Sequence, residues 1–374
     1  MERITVKEVD IHICGGGFDS KTCRKACTGK CPYCYVDMVK GSNPVFRDLP
    51  VFGDTKTLMR VIRNIHASAQ PEDLVFVGGD PCEHDDLMKL IQFAKGLGMN
   101  VAVLSNTHIY RDGGKIIPIE WITPFVDELA LTLHGIGVNH DSVNGNKGAY
   151  EKVIRQLKRF MLARGKSDRA VSIVLNFVPY TMLNIEEMMI GIIEELQMDP
   201  ERDYFAIQRI APTGLAEDDY EQWKVRRDLL PQTLEVIERI RKDRGFETKV
   251  DTIDVFPWCA IPDKYHYMLH EGGCQWGRPN GILSVVQDGG IQRCALSERK
   301  IGSFLDIDTQ GKFARFMLDN QTLSAFREHR HLDDKCLHCQ YLDKCGGGCV
   351  IASGNGDPYV IEGAVHKGHD YLVV

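Results

Sequence analysis

The first 250 residues alternate short apolar runs, rich in β-branched residues, with longer segments whose apolar positions recur every three or four residues. Runs of the first kind are typical of buried strands, and segments of the second kind are typical of amphipathic helices. The pattern predicts strands at Val6–Ile13, Leu74–Val77, Val101–Leu104, Glu128–Leu133, Val171–Leu175 and Tyr204–Ile210. It predicts helices at Lys56–Ala69, Asp85–Leu97, Ala149–Leu162, Ile185–Leu196 and Pro231–Arg244.

Regular alternation of strands and helices is typical of a parallel sheet, so we predict an α/β fold. Periodicity leaves two architectures open, an open doubly wound sheet and a partial barrel. In both of them the functional groups gather at the carboxyl ends of the strands. We therefore look for chemistry in the segments that follow the predicted strands.

The βα rhythm stops near Asp251 and gives way to scattered glycines and cysteines. A hairpin is predicted there, with Ile282–Gln287 turning at Asp288-Gly289-Gly290 into Ile291–Cys294. This change predicts two domains, a sheet domain at residues 1–250 and a small loop-rich module, held together by metal, at residues 251–374.

Charge and hydropathy exclude several classes of partner. The 374 residues carry a formal charge of -7 with interspersed acids and bases, and no long basic run marks a nucleic-acid surface. The first residues lack the charged and apolar segments of a secretion signal, and no apolar run approaches the length of a membrane span. We expect a cytoplasmic protein with neither nucleic acid nor membrane as partner.

Thirteen cysteines change this picture, because an odd number of thiols in a reducing compartment favours metal ligation over disulfides. Cys27, Cys31 and Cys34 are separated by three and two residues on one loop. Three thiolates on such a loop cap three corners of a [4Fe-4S] cube and leave one iron open to an external ligand. Zinc is the alternative, but zinc normally needs a second pair of ligands.

This cysteine triplet, with Tyr33 before its last member, resembles the motif of the radical S-adenosylmethionine (radical SAM) superfamily. Gly78-Gly79-Asp80-Pro81, directly after a predicted strand, resembles the turn with which that family contacts the methionyl amino group. The resemblance implies a partial (β/α)6 barrel of mostly parallel strands. It also implies a [4Fe-4S] cluster on the triplet and S-adenosyl-L-methionine as cofactor.

Further polar residues resemble cofactor-side positions of the family, although ordinary loop polarity is an alternative for them. They are Ser105, Asn106, Thr132, Asn144 and Arg209. Asn144 and His134 depart from the family pattern, which usually has an arginine and an aspartate there. His134 is a candidate general acid or base, with a structural histidine as the alternative. Cys14, Cys23 and Cys82 have no assigned function.

The C-terminal cysteines resemble the SPASM extension of radical SAM enzymes, which carries auxiliary iron-sulfur clusters. The resemblance assigns to a first auxiliary cluster Cys274, Cys294 and Cys349, with Cys259 as a plausible fourth ligand. It assigns to a second cluster Cys336, Cys339 and Cys345, and the last cysteine expected there is missing. Our hypothesis is that His366 or His369 replaces it, since histidine binds some iron-sulfur clusters.

Three alternatives remain for that missing ligand, namely an open iron, a carboxylate of Asp357 or Asp370, or a truncated site. A zinc module is a further alternative, because Cys336, Cys339, Cys345 and Cys349 form a reasonable four-cysteine set. The resemblance therefore implies one or two auxiliary clusters.

The resemblance implies a reaction in which one electron cleaves S-adenosylmethionine to methionine and a 5'-deoxyadenosyl radical, which takes a hydrogen atom from the substrate. We predict oxidative modification of a peptide or protein side chain, as a crosslink or a dehydrogenation, with an electron donor such as flavodoxin or ferredoxin. Only 26 residues precede Cys27, so leader recognition would need a separate protein or the barrel itself.

One group of peptide-modifying relatives, the anaerobic sulfatase-maturating enzymes, places an acidic base where this chain has Ala295. The second hypothesis is oxidation of a small molecule in cofactor, tetrapyrrole or aminoglycoside biosynthesis. A third, of another class, is a non-enzymatic zinc or iron-sulfur binding protein.

Overall fold

The computed structural model describes residues 3–15, 18–20, 24–36, 44–106, 110–216, 219–246, 248–249, 255–269, 273–332, 334–349 and 351. Cys23, Asp357, His366, His369 and Asp370 lie outside the described residues. The strands are β1 (Glu8–Cys14), β2 (Phe18–Asp19), β3 (Arg24–Lys25), β4 (Asp73–Gly78), β5 (Asn100–Leu104), β6 (Arg111–Asp112), β7 (Lys115–Ile116), β8 (Glu128–Leu133), β9 (Ala170–Asn176), β10 (Tyr204–Gln208), β11 (Thr248–Lys249), β12 (Ile282–Val285), β13 (Gly290–Gln292) and β14 (Gly302–Ser303).

The helices are α1 (Pro44–Arg47), α2 (Thr55–Ser68), α3 (Leu87–Gly96), α4 (Ile119–Ile122), α5 (Val138–Asn144), α6 (Ala149–Arg164), α7 (Pro179–Leu183), α8 (Ile185–Leu196), α9 (Tyr220–Trp223), α10 (Leu230–Arg244), α11 (Gln310–Asp319), α12 (Gln321–Arg327), α13 (Asp334–Leu337) and α14 (Leu342–Cys345). Short 3-10 turns lie at Pro81–Glu83, Thr123–Phe125, Gly214–Ala216, Trp258–Ala260 and Asp263–Met268. No described helix is both long and apolar enough to span a bilayer.

The predicted α/β architecture of mostly parallel strands is confirmed. One large sheet has the order β11-β10-β9-β8-β5-β4-β1-β12-β13-β14. The six predicted strands correspond to β1, β4, β5, β8, β9 and β10, which are parallel to their neighbours. The five predicted helices correspond to α2, α3, α6, α8 and α10, with ends that differ by no more than a few residues.

The order of these six strands answers the question that periodicity left open. Each strand lies beside the one before it in the chain, and the direction of addition never reverses from β1 to β10. A doubly wound sheet reverses its order at a switch point, whereas a barrel adds strands in succession. The topology is that of a (β/α)6 half or partial barrel, and among the described strands β11 and β14 are its edges.

The two faces of the sheet have different surroundings because side chains alternate along a strand. On β1, Val9, Ile11 and Ile13 are fully buried in the main apolar core. The alternate residues Glu8 and Asp10 line an interior cavity of about 980 Å³. The outer face therefore packs on the helices, and the inner face forms a lumen lined by both polar and apolar side chains.

The C-terminal residues extend the sheet. Strand β12 pairs in parallel with β1, so that Glu8 lies beside Ile282. The predicted hairpin is confirmed, since β12 and β13 are antiparallel with Val285 opposite Ile291. The module contains α11 and α12, which the loop-rich expectation missed, and the side chain of Thr309 accepts a hydrogen bond at the start of α11. The predicted domain boundary falls on residues 250–254, outside the described residues.

Candidate functional site

The loop that carries Cys27, Cys31 and Cys34 lies at the carboxyl ends of the parallel strands. The side-chain amide of Asn106, just after β5, donates to Cys27 Sγ at 3.3 Å, and the backbone N–H of Gly29 donates to the same sulfur at 3.3 Å. A Cβ on Gly29 would lie 3.4 Å from Cys27 Sγ and 3.6 Å from Cys31 Sγ. The thiols of Cys27 and Cys31 therefore flank one point above the loop backbone.

Electrostatics also link these thiols. Burial raises the pKa of Cys27 well above its usual value, and the neighbouring groups of Asp80, Cys34 and Cys31 raise it further. Such thiols become thiolates only when a metal compensates their charge, because ligation and deprotonation are coupled. The arrangement fits a cluster ligated by this triplet.

Hydrogen bonds to backbone atoms of the loop hold it from two sides. The N–H of Lys30 donates to the carbonyl oxygen of Asn144 at 2.8 Å, and Asn146 Nδ2 donates to the carbonyl oxygen of Thr28 at 2.7 Å. The N–H of Leu215 donates to the carbonyl oxygen of Cys34 at 3.0 Å. Asn144, predicted as a cofactor contact, thus supports the loop through its backbone.

Steric contacts explain why both residues of the Gly78-Gly79 turn are glycines. Gly78 has φ +141°, and a Cβ on it would lie 2.3 Å from the carbonyl oxygen of Cys14. A Cβ on Gly79 would lie 2.2 Å from the carbonyl oxygen of Gly15. Only glycine permits this approach between the end of β4 and the segment after β1.

Asp80, the acid of the same turn, is buried and tied to the predicted site. Its backbone N–H donates to the carbonyl oxygen of Ala26 at 2.7 Å, next to Cys27. Its Oδ1 accepts from Ser105 Oγ at 2.7 Å and from the N–H of Cys82 at 3.0 Å. Burial raises the pKa of Asp80 to about 7. Ser105 is thus placed against Asp80, and Pro81 begins the 3-10 turn that follows.

Asn106 carries an unfilled acceptor beside this group. Its Oδ1 is buried and has no hydrogen-bond partner among the described residues, while its Nδ2 holds Cys27. Buried polar atoms are normally satisfied. An orphan acceptor next to the cysteine loop fits a cofactor with N–H or O–H donors.

His134 lies against the cysteine loop. Its Nδ1 is 2.7 Å from Tyr33 Oη, its Nε2 is 3.4 Å from Cys31 Sγ, and its ring stacks on His140. Burial, followed by the neighbouring His140, lowers the pKa of His134 to about 3. His134 is not among the residues that line the lumen cavity. These contacts favour a positioning residue for Tyr33 and Cys31.

The two remaining cofactor-side predictions occupy strand ends. Thr132 is half-buried near the end of β8. It is four residues after Glu128, and because side chains alternate along a strand, both lie on the lumen face. Arg209 follows β10, is 4% exposed, and donates through Nη2 to the carbonyl oxygen of Val255 at 2.6 Å. Its guanidinium also lies 5.0 Å from the ring centre of Phe256. Arg209 thereby attaches the C-terminal segment to the barrel.

The lumen contains carboxyl groups that the sequence analysis overlooked. Glu128 Oε1 accepts from Ser172 Oγ and Tyr204 Oη, each at 2.6 Å. Glu8 and Asp10 line the same cavity, and burial raises the pKa of both. A signal was present in the sequence, because acids at alternate positions of an otherwise apolar strand share one face.

His12, one step further along that face, was also overlooked. It is fully buried, and neither ring nitrogen has a hydrogen-bond partner among the described residues. Its ring lies 5.1 Å from Phe46 and 6.0 Å from Tyr35, the residue after Cys34. Burial lowers the pKa of His12 to about 3.

The C-terminal cysteines form two neighbouring groups. Cys274 and Cys294 are buried in an apolar cluster with Trp276 and Phe326, and Cys349 packs against it. Arg293, itself 2% exposed, has Nη1 4.0 Å from Cys274 Sγ. These three cysteines therefore share one apolar cluster.

The second group is Cys336, Cys339 and Cys345. The N–H of Cys339 donates to the carbonyl oxygen of Cys336 at 3.1 Å, and burial followed by the neighbouring Cys339 raises the pKa of Cys345. Cys259 is exposed in the turn Trp258–Ala260. Within the described residues, no three His, Cys, Asp or Glu side chains converge closely enough for a single metal ion. A four-iron cube spreads its ligands over four corners, so its geometry differs from that of a zinc site.

Known proteins resemble this chain at low identity. No family model matches the sequence. The AdoMet-dependent heme synthase of Oleidesulfovibrio alaskensis is 23% identical over 297 residues, which cover 73% of this chain and 69% of that protein. A PqqA peptide cyclase of Methylorubrum extorquens is 22% identical over 331 residues, which cover 86% of this chain and 77% of that protein.

Solved structures agree in fold. Streptococcus suis SuiB bound to S-adenosylmethionine superposes with a TM-score of 0.66 at 16% identity, over 93% of this chain and 73% of that one. Native anSMEcpe with bound AdoMet superposes with a TM-score of 0.65 at 12% identity, over 98% of this chain and 97% of that one. The resemblance to radical SAM maturases that the cysteine motifs predicted is therefore confirmed, in sequence and in fold.

Proposed function

We propose that this protein is a radical SAM enzyme that oxidatively modifies a peptide or protein side chain. The observation that carries the proposal is the cysteine loop, held at the carboxyl edge of a (β/α)6 sheet with the thiols of Cys27 and Cys31 directed to one point. Cys27, Cys31 and Cys34 would hold a [4Fe-4S] cluster with one open iron for S-adenosylmethionine. When bound, cluster and cofactor supply an electron and a radical that abstracts hydrogen.

The contribution of the chain itself is to position the loop and exclude water. Asn106 holds Cys27, while Tyr33 and His134 support Cys31 from the opposite side. The Gly78-Gly79 turn packs closely on the backbone of Cys14 and Gly15, and its acid Asp80 is buried beside Cys27. Fixed, dry surroundings are what a radical reaction requires, because they prevent side reactions.

The interior cavity supports a substrate chamber within the barrel. Its volume of about 980 Å³ lies at the upper end of the range for ligand pockets, which suits a peptide side chain with its neighbours. Val77 and Leu104, which directly precede Gly78 and Ser105, line it on the side of the cofactor edge. Residues at the amino ends of the strands, such as Lys7 and Asp127, line its other side. Trp276 and Gln275 of the C-terminal module line it as well.

The peptide substrate is favoured by the relatives. A PqqA peptide cyclase matches 86% of this chain, and SuiB bound to its precursor peptide SuiA covers 93% of it in fold. The proposal includes two auxiliary iron-sulfur clusters that receive the electron released by substrate oxidation, a flavodoxin or ferredoxin as donor, and a cytoplasmic location. A separate leader-recognition protein completes the proposal.

The test is anaerobic reconstitution of the full chain with iron and sulfide, followed by incubation with S-adenosylmethionine and dithionite. We expect about twelve irons per chain for three cubes and formation of 5'-deoxyadenosine. Cys27→Ala should abolish 5'-deoxyadenosine, whereas Cys82→Ser, which replaces a thiol outside the triplet and leaves the backbone N–H that donates to Asp80, should retain it. Wild-type protein that binds iron yet forms no 5'-deoxyadenosine would contradict the proposal and favour a non-enzymatic iron-sulfur protein.

Oxidation of a tetrapyrrole is the second candidate, because the AdoMet-dependent heme synthase matches 73% of this chain. The two candidates differ in what reacts. Deuterium transfer into 5'-deoxyadenosine from a labelled precursor peptide supports the first, and transfer from a labelled porphyrin supports the second.

A further inference from the structure

Two segments of the C-terminal module lie side by side in opposite directions. The N–H of Cys349 donates to the carbonyl oxygen of Val255 at 3.1 Å. A Cβ on Gly348 would lie 3.1 Å from Pro257. The N–H of Trp258 donates to Cys345 Sγ at 3.3 Å. Residue numbers thus rise along one segment as they fall along the other.

Cys259 is the next residue along this pairing. Because the nitrogen of Trp258 is 3.3 Å from Cys345 Sγ, and successive Cα atoms are about 3.8 Å apart, the Cα of Cys259 lies within about 9 Å of that sulfur. This distance is compatible with two thiolates on neighbouring corners of one cluster.

The packing of Trp258, the neighbour of Cys259, is shared with the segment that leads to Cys345. The ammonium group of Lys344 lies 5.7 Å from the ring centre of Trp258. The indole of Trp258 lies 5.9 Å from the ring of Tyr341, between Cys339 and Cys345. The first auxiliary group, with Cys274 and its neighbours, forms a separate apolar cluster.

We propose that Cys259 is the fourth ligand of the second auxiliary cluster, together with Cys336, Cys339 and Cys345. This inference rests on the proposed function, which supplies the auxiliary clusters. It makes a histidine or carboxylate ligand from the C-terminal residues unnecessary for that cluster. The first auxiliary cluster, on Cys274, Cys294 and Cys349, is then the one that takes its fourth ligand from another group.

The test uses the full chain with Cys27→Ala, Cys31→Ala and Cys34→Ala, so that only auxiliary clusters contribute to the spectra. After anaerobic reconstitution we expect about eight irons per chain and two reducible clusters resolved by EPR-monitored redox titration. Cys336→Ser assigns the signal of the second cluster, and Cys274→Ser assigns that of the first. Circular dichroism verifies that each variant is folded.

Cys259→Ser should change the midpoint potential or g values of the signal that Cys336→Ser changes, and leave the Cys274→Ser signal intact. Cys82→Ser, the matched thiol control, should change neither. The proposal is overturned if Cys259→Ser alters the first cluster or no cluster, if His366→Ala with His369→Ala alters the second, or if elemental analysis finds zinc there. Background protein without iron would instead refute the auxiliary clusters themselves.

Discussion

At the scale of single residues, a hydrogen bond to sulfur gives Asn106 a specific role beside the cysteine loop. Asn106 donates to Cys27 Sγ at 3.3 Å from the second position after β5. Hydrogen bonds to cluster sulfurs stabilise the more negative, reduced state and raise the reduction potential. We therefore expect the Nδ2 group of Asn106 to raise the reduction potential of the cluster, while its unpaired Oδ1 is open to a cofactor.

We expect Asn106→Ala to lower the midpoint potential of the cluster on Cys27, Cys31 and Cys34, because the reduced state loses a hydrogen bond. Iron content should stay at the wild-type level, which separates tuning from loss of the cluster. EPR-monitored titration measures the shift. Asn100→Ala, an exposed amide at the opposite end of β5, should leave the potential unchanged; an equal shift in both variants would refute the assignment.

Arg278 lies beside the first auxiliary group, as Asn106 lies beside the cysteine loop. Its guanidinium lies 5.5 Å from the ring centre of Phe326, and its charge acts on the thiol of Cys274. Two of its nitrogens, Nε and Nη2, are buried without a hydrogen-bond partner among the described residues. Burial lowers the pKa of Arg278, which is the expected effect on a cation without a carboxylate beside it.

Arg278→Gln should lower the potential of the first auxiliary cluster, since a nearby positive charge favours the electron-rich state. Arg278→Lys keeps the charge and should recover most of the shift. Potentiometry on the variant that lacks the Cys27 triplet measures both. A shift in the second cluster alone would contradict the placement of Arg278.

Elements are attached to one another by buried polar pairs as well as by the apolar core. Arg164 at the end of α6 and Asp203 before β10 form a bidentate ion pair at 2.5 and 2.7 Å, with side chains 2% and 0% exposed. Asp203 also accepts from the N–H of Val171 at 2.9 Å. One carboxylate thus joins α6, β9 and the start of β10.

Arg164→Met should lower the free energy of unfolding by about 3–5 kcal/mol, because it leaves the carboxylate of Asp203 buried without its partner. Urea denaturation followed by circular dichroism measures the change. Arg239→Ala, which breaks an exposed pair with Glu186, is the control and should change little. Equal effects of the two substitutions would contradict the role of the buried pair.

At the scale of the whole molecule, burial in the lumen destabilises the charged form of its carboxyl groups. Burial, and then the neighbouring Asp73, raise the pKa of Glu8 to about 7, and Asp10 and Glu128 line the same cavity. A carboxyl group whose pKa is raised on folding binds more protons in the native state than in the unfolded state. The contribution of Glu8 to stability is therefore fully present below about pH 4.5 and is lost as pH rises toward 7.

The contribution of Glu8 to the free energy of unfolding should decrease by on the order of 2 kcal/mol between about pH 4.5 and pH 7. Glu8→Gln removes this titration, while the buried His12 and His134 titrate in both proteins. The wild type should therefore lose about this much stability relative to the variant over the same interval. Urea titrations at several pH values measure both profiles. Parallel profiles would show that Glu8 is not responsible.

Prediction from sequence succeeded where a local pattern carries the information. β8 and α8 have the predicted ends because their apolar spacing matches the period of the element. The cysteine spacings likewise predicted the resemblance to the known proteins that match this chain. Prediction failed for α11 and α12, where cysteines and glycines on both sides suggested loops, and for Glu8, Asp10 and His12, which looked like ordinary strand residues.

The sequence by itself determined the alternation of strands and helices and the thiols available to metals, because both depend on near neighbours in the chain. The tertiary structure decided the successive strand order, the lumen and the contacts of each polar residue. It placed His134 in contact with Tyr33 and Cys31 of the cysteine loop. It also brought the backbone N–H of Trp258 to the thiol of Cys345, 87 residues away, since only folding relates residues so distant along the chain.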